Sequence, residues 1–401
     1  MSQTEEKREG FYLSEDGEWI PDGWVEFTLV DLVVLQRGFD LPAKNRVVGG
    51  FPLITASGQD GTHNEGKVKA PGVVTGRSGT IGQVFLINND FWPLNTTLWV
   101  KDFKGNDVIF CYYFLKRFPF SRFNSGSGVP TLNRNHIHPH SIAKPPLPEQ
   151  KAIASVLGSL DDKIELLREQ NETLEALAQT LFRRWFIDFN FPDENGNPYK
   201  DSGGTMIPSE LGEIPEGWEV VELQNIATLI NGRAYKNSEF LMEGTPIIRI
   251  QNLSGKGKTV YSDLDLPTNK YVSRGDLIFA WSATFGPYIW QGEKSIYHYH
   301  IWKIDVNDAV KPYLYWALKY VTDSVKNQST GSIFSHVTKG LMEKQEFIFS
   351  TKVVEMFSRT CSVIHEKIES NNQQIQTLTN LRDTLLPKLM KGEIRIKKEE
   401  F

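Results

Sequence analysis

The 401-residue sequence is long enough for two or three domains, each with its own core. Apolar residues make up 40% and aromatic residues 12% of the chain, which excludes a disordered protein. The two cysteines, Cys111 and Cys361, are too few for a disulfide framework or a metal cluster. The sequence contains no run of roughly 18 apolar residues that would span a bilayer and no apolar leader, so we expect a cytoplasmic protein.

The net charge of -5 is unevenly distributed along the chain. Residues 1–20 hold 2 basic and 6 acidic side chains, and residues 150–214 hold 6 and 12. The long stretches that follow these two acidic segments are close to neutral. Residues 21–149 hold 13 basic and 10 acidic side chains, and residues 215–346 hold 14 of each. Phosphate contacts dominate nucleic-acid affinity. We therefore expect that any DNA binding by this chain alone is weak and needs basic partners.

The chain contains one module written twice. Ile20-Pro21-Asp22-Gly23-Trp24 recurs as Ile214-Pro215-Glu216-Gly217-Trp218, an offset of 194 residues. Further along, the offset becomes 204, which maps Lys163-Ile164 onto Lys367-Ile368. A period of this length excludes a solenoid and indicates a duplicated module of domain size.

Each copy begins with about 125 residues of short β-branched and aromatic runs broken by Gly, Pro and Asn, which is typical of a β-rich domain. A helix is predicted near Phe110–Arg117 in the first copy and near Pro312–Tyr320 in the second. A long helix follows in each copy, with apolar residues at alternating spacings of 4 and 3. These positions, called the seam below, are 153, 157, 160, 164, 167, 171, 174, 178 and 181, and the same positions plus 204.

The two seams predict that the long helices pair with each other. The predicted fold is α+β: two β-rich domains joined by a long antiparallel two-helix coiled coil, with pseudo-two-fold symmetry from the tandem duplication. Asn171 and Asn371 lie on the seams. A polar residue there either fixes the register of the helix pair or lies at a solvent-facing end of the stripe, and the sequence leaves both interpretations open.

Four motifs on this duplicated frame resemble the specificity (S) subunits of Type I restriction-modification systems. They are Leu147-Pro148-Glu149-Gln150, the run from Leu181 to Phe189 (LFRRWFIDF), the run from Leu211 to Trp218 (LGEIPEGW) and the run from Leu385 to Ile394 (LLPKLMKGEI). The second copy departs from the pattern, because Phe347-Ile348-Phe349-Ser350 replaces the Pro-Glu-Gln signature at the start of its helix.

The resemblance implies that two target-recognition domains each read one half of a split, asymmetric DNA site. The helical regions would act as a spacer and bind two methyltransferase subunits, which carry S-adenosylmethionine and methylate adenine. Motor-nuclease subunits would join for cleavage, ATP and Mg²⁺ would belong to the partners, and this chain would bind no cofactor and catalyse nothing. The rival hypothesis is a pure assembly scaffold whose domains bind proteins.

The resemblance and the repeat together divide the chain into seven segments. They are an acidic tail (1–20), target-recognition domain 1 (21–145), spacer helix 1 (146–190), a linker (191–213), target-recognition domain 2 (214–346), spacer helix 2 (347–392) and a charged C-terminal tail (393–401).

Three possible chemical motifs do not favour catalysis. The run Gly255-Lys256-Gly257-Lys258-Thr259 lacks the first glycine of a P-loop, since position 252 is Asn252. Asn197-Pro198-Tyr199 resembles an incomplete methyltransferase tetrapeptide and is interpreted as linker. His136, His138 and His140 alternate as on one strand face, but the second copy has no histidines at the matching positions, so we predict loop packing or phosphate contacts and no metal.

The predicted DNA-binding residues lie in Gly-rich and polar turns, where backbone amides, hydroxyls and guanidinium groups can contact phosphates and base edges. The alternative is that these glycines only make tight turns. The candidates in the first copy are Arg37, Lys44, Arg46, Arg77, Ser78, Thr80, Asn124, Asn133 and Arg134. The candidates in the second copy are Arg233, Lys236, Arg249, Gln251, Asn252, Trp281, Ser282, Thr284 and His336.

Overall fold

The computed structural model describes residues 9–14, 17, 19–255, 257–282, 284–328 and 338–396. The chain divides into two compact units. Unit 1 combines residues 1–166 with 374–401, and unit 2 comprises residues 167–373. Each long helix therefore contributes one part to each unit. The helices in the described part of the chain are too short or too polar to cross a membrane.

The first β-rich domain belongs to unit 1 and precedes the first long helix. Its elements are β1 (Phe11–Leu13), β2 (Trp19–Pro21), β3 (Val25–Thr28), α1 (Leu29–Leu32), β4 (Val34–Arg37), β5 (Phe51–Thr55), β6 (Gly58–His63), β7 (Gly72–Gly76), β8 (Val84–Ile87), β9 (Trp92–Pro93), β10 (Thr97–Asp102), α2 (Val108–Arg117), α3 (Arg134–Ile137) and β11 (Ser141–Lys144). The long helix that follows is α4 (Leu147–Phe186). An antiparallel sheet has the strand order β4-β10-β7-β8, and a second sheet has the order β6-β5-β9. Strands β1 and β2 form a hairpin, and β3 pairs with β11.

The buried motif residue Gln150 connects the start of α4 to the domain before it. The side-chain oxygen of Gln150 accepts a hydrogen bond from the Asp107 N–H at 3.1 Å, and its amide donates to the Pro145 carbonyl at 3.0 Å. Asp107 in turn caps α2 by accepting from the Phe110 N–H at 2.9 Å. The first turn of α4 is thereby fixed to the first turn of α2 by the hydrogen bond between Gln150 and Asp107.

The second β-rich domain repeats this arrangement in unit 2. Its elements are β12 (Met206–Ser209), β13 (Gly212–Pro215), β14 (Glu219–Glu222), α5 (Leu223–Ile226), β15 (Ala227–Asn231), β16 (Thr245–Ile248), α6 (Ile250–Leu253), β17 (Val260–Ser262), β18 (Tyr271–Val272), β19 (Leu277–Ala280), β20 (Gly286–Ile289), β21 (Ser295–Tyr297), β22 (Ile301–Val306), α7 (Lys311–Gln328), α8 (Lys339–Glu343), β23 (Glu346–Phe349) and α9 (Thr351–Met390). The antiparallel sheet has the order β15-β22-β19-β20, and a second sheet has the order β17-β16-β21-β18. Strand β14 pairs with β23.

The element bounds confirm the duplication. The offset of 204 maps β10 onto β22 and α4 onto α9 residue for residue, and the offset of 194 maps α1 onto α5. The predicted helices near Phe110–Arg117 and Pro312–Tyr320 are α2 and α7. The predicted second spacer segment begins with strand β23, because Phe347 and Phe349 alternate into the core before α9 starts at Thr351.

Helices α4 and α9 each contain 40 residues and pack in opposite directions. In unit 1, Asp161 of α4 meets Arg382 of α9, and in unit 2 Phe182 packs against Phe357 with ring centroids 6.0 Å apart. The predicted seam positions are buried or half-buried in both helices. Burying a leucine or isoleucine side chain contributes about 1.5–3 kcal/mol, so the seams supply much of the driving force for pairing.

The repeated motif that ends in tryptophan, Ile20–Trp24 in the first copy and Ile214–Trp218 in the second, packs each domain against the end of a long helix through its tryptophan. In unit 2, the Trp218 ring lies 5.6 Å from Phe186 and 5.0 Å from Phe191, which belong to the end of α4 and the residues after it. In unit 1, Trp24 donates through Nε1 to Glu149 at 3.3 Å and packs near Gly392 beyond the end of α9. The family-like motifs therefore serve to join domain and helix.

Candidate DNA interface

Two of the predicted loops of the first domain form one surface. The Gly79 N–H donates to the Pro130 carbonyl at 3.0 Å, and the Leu132 N–H donates to the Arg77 carbonyl at 2.8 Å. Ser78 and Thr131 form an isolated β-bridge. The Gly-rich turn at 75–82 and the polar loop at 124–133 are thus held side by side by backbone hydrogen bonds.

The Gly-rich turn holds its polar side chains on a fixed backbone. The Arg77 N–H donates to the Thr96 carbonyl at 2.8 Å, and a Cβ on Gly76 would lie 1.9 Å from the Thr80 carbonyl oxygen. Arg77 and Ser78 are half-buried, and Thr80 is exposed. Among the described residues, the Arg77 guanidinium makes one long hydrogen bond, of 3.4 Å, to the Asn95 carbonyl. Most of its donors are therefore available to a phosphate or a guanine edge.

Asn124 and Asn133 shape the neighbouring loop through their side-chain oxygens. Asn124 accepts from the Thr131 N–H at 2.9 Å, and Asn133 accepts from the Asn135 N–H at 3.0 Å as the cap of α3. Arg134 is exposed at the first residue of that helix. These contacts give both asparagines a structural role, and only their amide groups are left to face a ligand.

The remaining candidates of the first domain are Arg37, the last residue of β4, and Lys44 and Arg46 in the loop between β4 and β5. Arg37 pairs with Asp40 at 3.1 Å, and Arg46 pairs with Asp60 at 3.6 Å. Lys44 is exposed, and its ammonium group has no ion pair within the described residues. Exposed pairs of this kind contribute about 0–1 kcal/mol, so both arginines can exchange their carboxylate for a phosphate at little cost.

In the second domain, the tryptophan that replaces Arg77 lies in an aromatic cluster. The Trp281 Nε1 donates to the Tyr299 carbonyl at 2.9 Å, and the ring stacks at 6.0 Å on Trp302. The Tyr299 N–H donates to the Arg233 carbonyl at 3.0 Å, which brings Trp281 and Arg233 to the same part of the surface. Ser282 and Thr284 are half-buried beside this cluster.

Two arginines of this domain are held against aromatic rings. Arg233 pairs with Glu239 at 2.7 Å and lies 5.1 Å from the Tyr235 ring, and the hydrogen bond with Arg233 lowers the pKa of Glu239. Arg249 donates to the Lys258 carbonyl at 2.6 Å. Nη1 of Arg233 and Nε of Arg249 are buried and have no partner among the described residues. Both guanidinium groups are therefore held in place by their own domain, and each still has a hydrogen-bond donor without an acceptor among the described residues.

Three other candidates of the second domain lie next to these arginines or to the carboxylate that pairs with Arg233. The Asn252 side-chain oxygen accepts from the Arg249 backbone N–H at 3.0 Å. The side-chain oxygen of the exposed Gln251 accepts from Nη2 of Arg249 at 2.8 Å. Lys236 is exposed, and its backbone N–H donates to Glu239 at 2.7 Å. His336 lies outside the described residues.

Sequence reasoning missed the turn that precedes β10 and β22. Asn95 contacts Arg77 in the first domain, and Tyr299 contacts Trp281 in the second, and the offset of 204 relates these two positions. The repeat was the available signal, because it places Asn95 and Tyr299 directly before matching strands.

The three alternating histidines do not share a strand face. Asn133 caps α3, so His136 lies on a helix, while His138 and His140 follow it. The His138 Nε2 accepts from the Leu35 N–H at 3.0 Å, and the His140 ring packs at 5.4 Å against Phe118. Across the residues that the structure describes, three or more His, Cys, Asp or Glu side chains do not come together in a geometry that would hold a metal.

The two halves of the chain match one protein family. Residues 21–176 and 215–380 each match the Type I restriction modification DNA specificity domain. These two matches cover more than half of the sequence, and the chain belongs to this family.

Named relatives are consistent with the family match. The chain is 28% identical over 341 residues to the Type I restriction enzyme MjaIX specificity subunit of Methanocaldococcus jannaschii, covering 79% of this chain and 76% of the relative. It is 26% identical to the Type I restriction enzyme HindI specificity subunit of Haemophilus influenzae, covering 67% and 72%. A crystal structure of the Type I restriction-modification S subunit from M. genitalium shares the fold, with a TM-score of 0.59, 17% identity and coverage of 94% and 97%.

Proposed function

We propose that this chain reads a split, asymmetric DNA site, one half with each β-rich domain. The observation that carries the proposal is that Arg77 and Trp281, which occupy equivalent positions in the two domains, make the same backbone hydrogen bond but carry different side chains. The Arg77 N–H donates to the Thr96 carbonyl at 2.8 Å, and at the equivalent position the Trp281 N–H donates to the His300 carbonyl at 3.1 Å. A guanidinium and an indole presented by the same frame recognise different base patterns.

Domain exchange tests this proposal. Replacing residues 21–145 by those of a relative with another target should change one half of the methylated site and leave the other half unchanged. The readout is methylation-sensitive sequencing of a host genome. A change in both halves contradicts independent reading. Uniform protection of DNA by the complex, without a preferred sequence, would favour the rival scaffold.

We further propose that the long helices bind two methyltransferase subunits, which carry S-adenosylmethionine, and that motor-nuclease subunits join them with ATP and Mg²⁺. We assign no catalytic step to this chain. Leu177 and Leu381 support two equivalent docking positions, because the offset of 204 relates them and they are 55% and 45% exposed. Each of these leucines leaves about half of its apolar side chain in solvent, and a partner that covered this area would gain its hydrophobic free energy.

Stoichiometry tests this second part. Leu177→Asp and Leu381→Asp should each reduce the number of bound methyltransferase subunits from two to one, and the double variant should bind neither. The exposed neighbour Gln179 provides a control, since Gln179→Asp adds the same charge without removing an apolar group. The mass of the complex in analytical ultracentrifugation is the measurement. Full assembly of the double variant contradicts docking at these leucines.

A further inference from the structure

The two most exposed large hydrophobic residues in the described part of the chain occupy equivalent positions. Met242 is 92% exposed and Val48 is 88% exposed. The offset of 194 maps Val48 onto Met242. Val48 lies in the loop between β4 and β5, and Met242 lies in the loop between β15 and β16. The two loops differ in sequence, so an exposed apolar side chain at the same place in both indicates a shared use.

Each exposed side chain follows a residue that is fixed to its domain. The Val47 N–H donates to Nδ1 of the buried His63 at 3.1 Å. Leu241 exchanges two backbone hydrogen bonds with Tyr261, at 2.9 and 3.1 Å. The offset of 194 relates Val47 to Leu241 as well. Both loops are therefore anchored one residue before the exposed side chain.

A glycine fixes the other side of each loop. A Cβ on Gly49 would lie 2.4 Å from the Cα of Asn64, and a Cβ on Gly244 would lie 2.7 Å from the Ser262 carbonyl oxygen. At both glycines the loop backbone lies in contact with the backbone of a neighbouring segment, and the space there does not admit a Cβ atom. Val48 and Met242 are thus held in place with their side chains in solvent. The fixed backbone reduces the conformational freedom that each loop gives up when a ligand covers it, although the Met242 side chain has three torsions to order and the Val48 side chain only one.

Basic residues lie near both positions in the sequence. Lys44 and Arg46 precede Val48 on its loop, and Arg233 and Lys236 precede Met242. The lysines are exposed. Arg46 pairs with Asp60 and donates to the Leu41 carbonyl at 3.5 Å, and Arg233 pairs with Glu239 and lies 5.1 Å from the Tyr235 ring. Basic side chains that contact phosphates place the group between them at the base edges of a groove. An apolar group in that position meets the thymine 5-methyl group, the one apolar feature of a base edge in the major groove.

We infer that Val48 and Met242 each contact a thymine methyl group in the major groove of the half-site that their own domain reads. This inference rests on the proposed function and adds two specificity-determining residues to it. Val48 is short and branched, while Met242 is long and unbranched, so the two domains reach the base edge by different lengths.

Deleting the methyl group from the DNA and the side chain from the protein tests the contact from both sides. The target is first selected from randomised duplexes with the full chain and its methyltransferase subunits. Each thymine of the target is then replaced by uracil, one at a time. One uracil in one half-site should weaken binding about five-fold. Val48→Ala should weaken binding to the thymine duplex by a similar factor and should no longer respond to that uracil.

Met242→Ala should behave in the same way toward one thymine of the other half-site. Leu341→Ala is the matched control, because Leu341 is 63% exposed but lies on α8, outside the two loops and the long helices, and it should keep wild-type affinity and wild-type uracil sensitivity. Undiminished affinity of Val48→Ala and Met242→Ala for the thymine duplex would overturn the inference. Unchanged sensitivity of these variants to every uracil, or an equal loss on all sequences, would also overturn it. If the wild-type complex selects no sequence, the proposed function itself fails, which is a different result.

Discussion

The Asn371 amide donates to the side-chain oxygen of Asn171 at 2.9 Å, from one long helix to the other within unit 2. The Asn171 amide donates in turn to the side-chain oxygen of Asn372 at 2.9 Å. Asn371 is fully buried. The sequence left open whether these asparagines fix the register or lie at a solvent edge, and the hydrogen bonds support the first interpretation.

Removing one member of this pair should destabilise the protein more than removing both. Asn171→Leu leaves the buried Asn371 amide without an acceptor, so the free energy of unfolding should fall by about 1–3 kcal/mol. The double variant with Asn371→Leu buries two apolar side chains instead and should recover at least wild-type stability. Urea unfolding of the full chain is the measurement. A single variant as stable as the wild type would contradict the role of the pair.

A second polar contact joins Arg395, the residue after the C-terminal motif, to Glu149 of the motif that opens α4. Arg395 donates to both oxygens of Glu149, at 2.6 and 2.8 Å, and to the Asp22 carbonyl at 2.9 Å. Arg395→Lys removes the two-pronged geometry and should lower the free energy of unfolding by about 1 kcal/mol. Arg359→Lys is the control, since Arg359 is 82% exposed and pairs within its own helix at 3.7 Å. Equal stability of the two variants would show that the contact contributes nothing.

The sequence predicted the parts of this fold that depend on periodicity and repetition. The duplication, the two long helices and their seams follow from spacing alone. The pairing of the turn at 75–82 with the loop at 124–133 does not, because it depends on backbone hydrogen bonds between Gly79 and Pro130 and between Leu132 and Arg77. DNA binding by Asn124 and Asn133 stays a prediction, and the structure shows in addition that their side-chain oxygens hold the loop. The alternation of His136, His138 and His140 does not correspond to a strand face, because Asn133 caps a helix there.

Gly392 should be intolerant of any side chain. Its φ is +63°, and an added Cβ would lie 2.2 Å from Cγ of Pro21. Gly392→Ala should therefore combine the cost of a left-handed backbone, about 1 kcal/mol, with a clash of about 1–3 kcal/mol. Gly196→Ala separates the two costs, because Gly196 has a φ of +83° and open space around it. In urea unfolding, Gly392→Ala should be the less stable variant, and equal losses would rule out the clash.

His138 should make the stability of the protein depend on pH. Burial lowers the pKa of His138, and its Nε2 accepts a hydrogen bond from the Leu35 N–H at 3.0 Å, which requires the neutral ring. The unfolded chain takes up a proton at the ordinary histidine pKa of about 6.5. The contribution of His138 is therefore present above that pH and is lost as the pH falls toward its folded-state pKa.

His138→Gln keeps an acceptor that does not titrate, so it should reduce the loss of stability between about pH 7.5 and pH 5. His136 is the matched control, because it lies two residues away and is exposed, and His136→Gln should keep the wild-type pH dependence. Burial also lowers the pKa of His298, His300 and His365, so part of the dependence should survive in the variant. Urea unfolding at the two pH values measures the difference. An unchanged slope in His138→Gln would mean that the Leu35 N–H does not need the neutral imidazole.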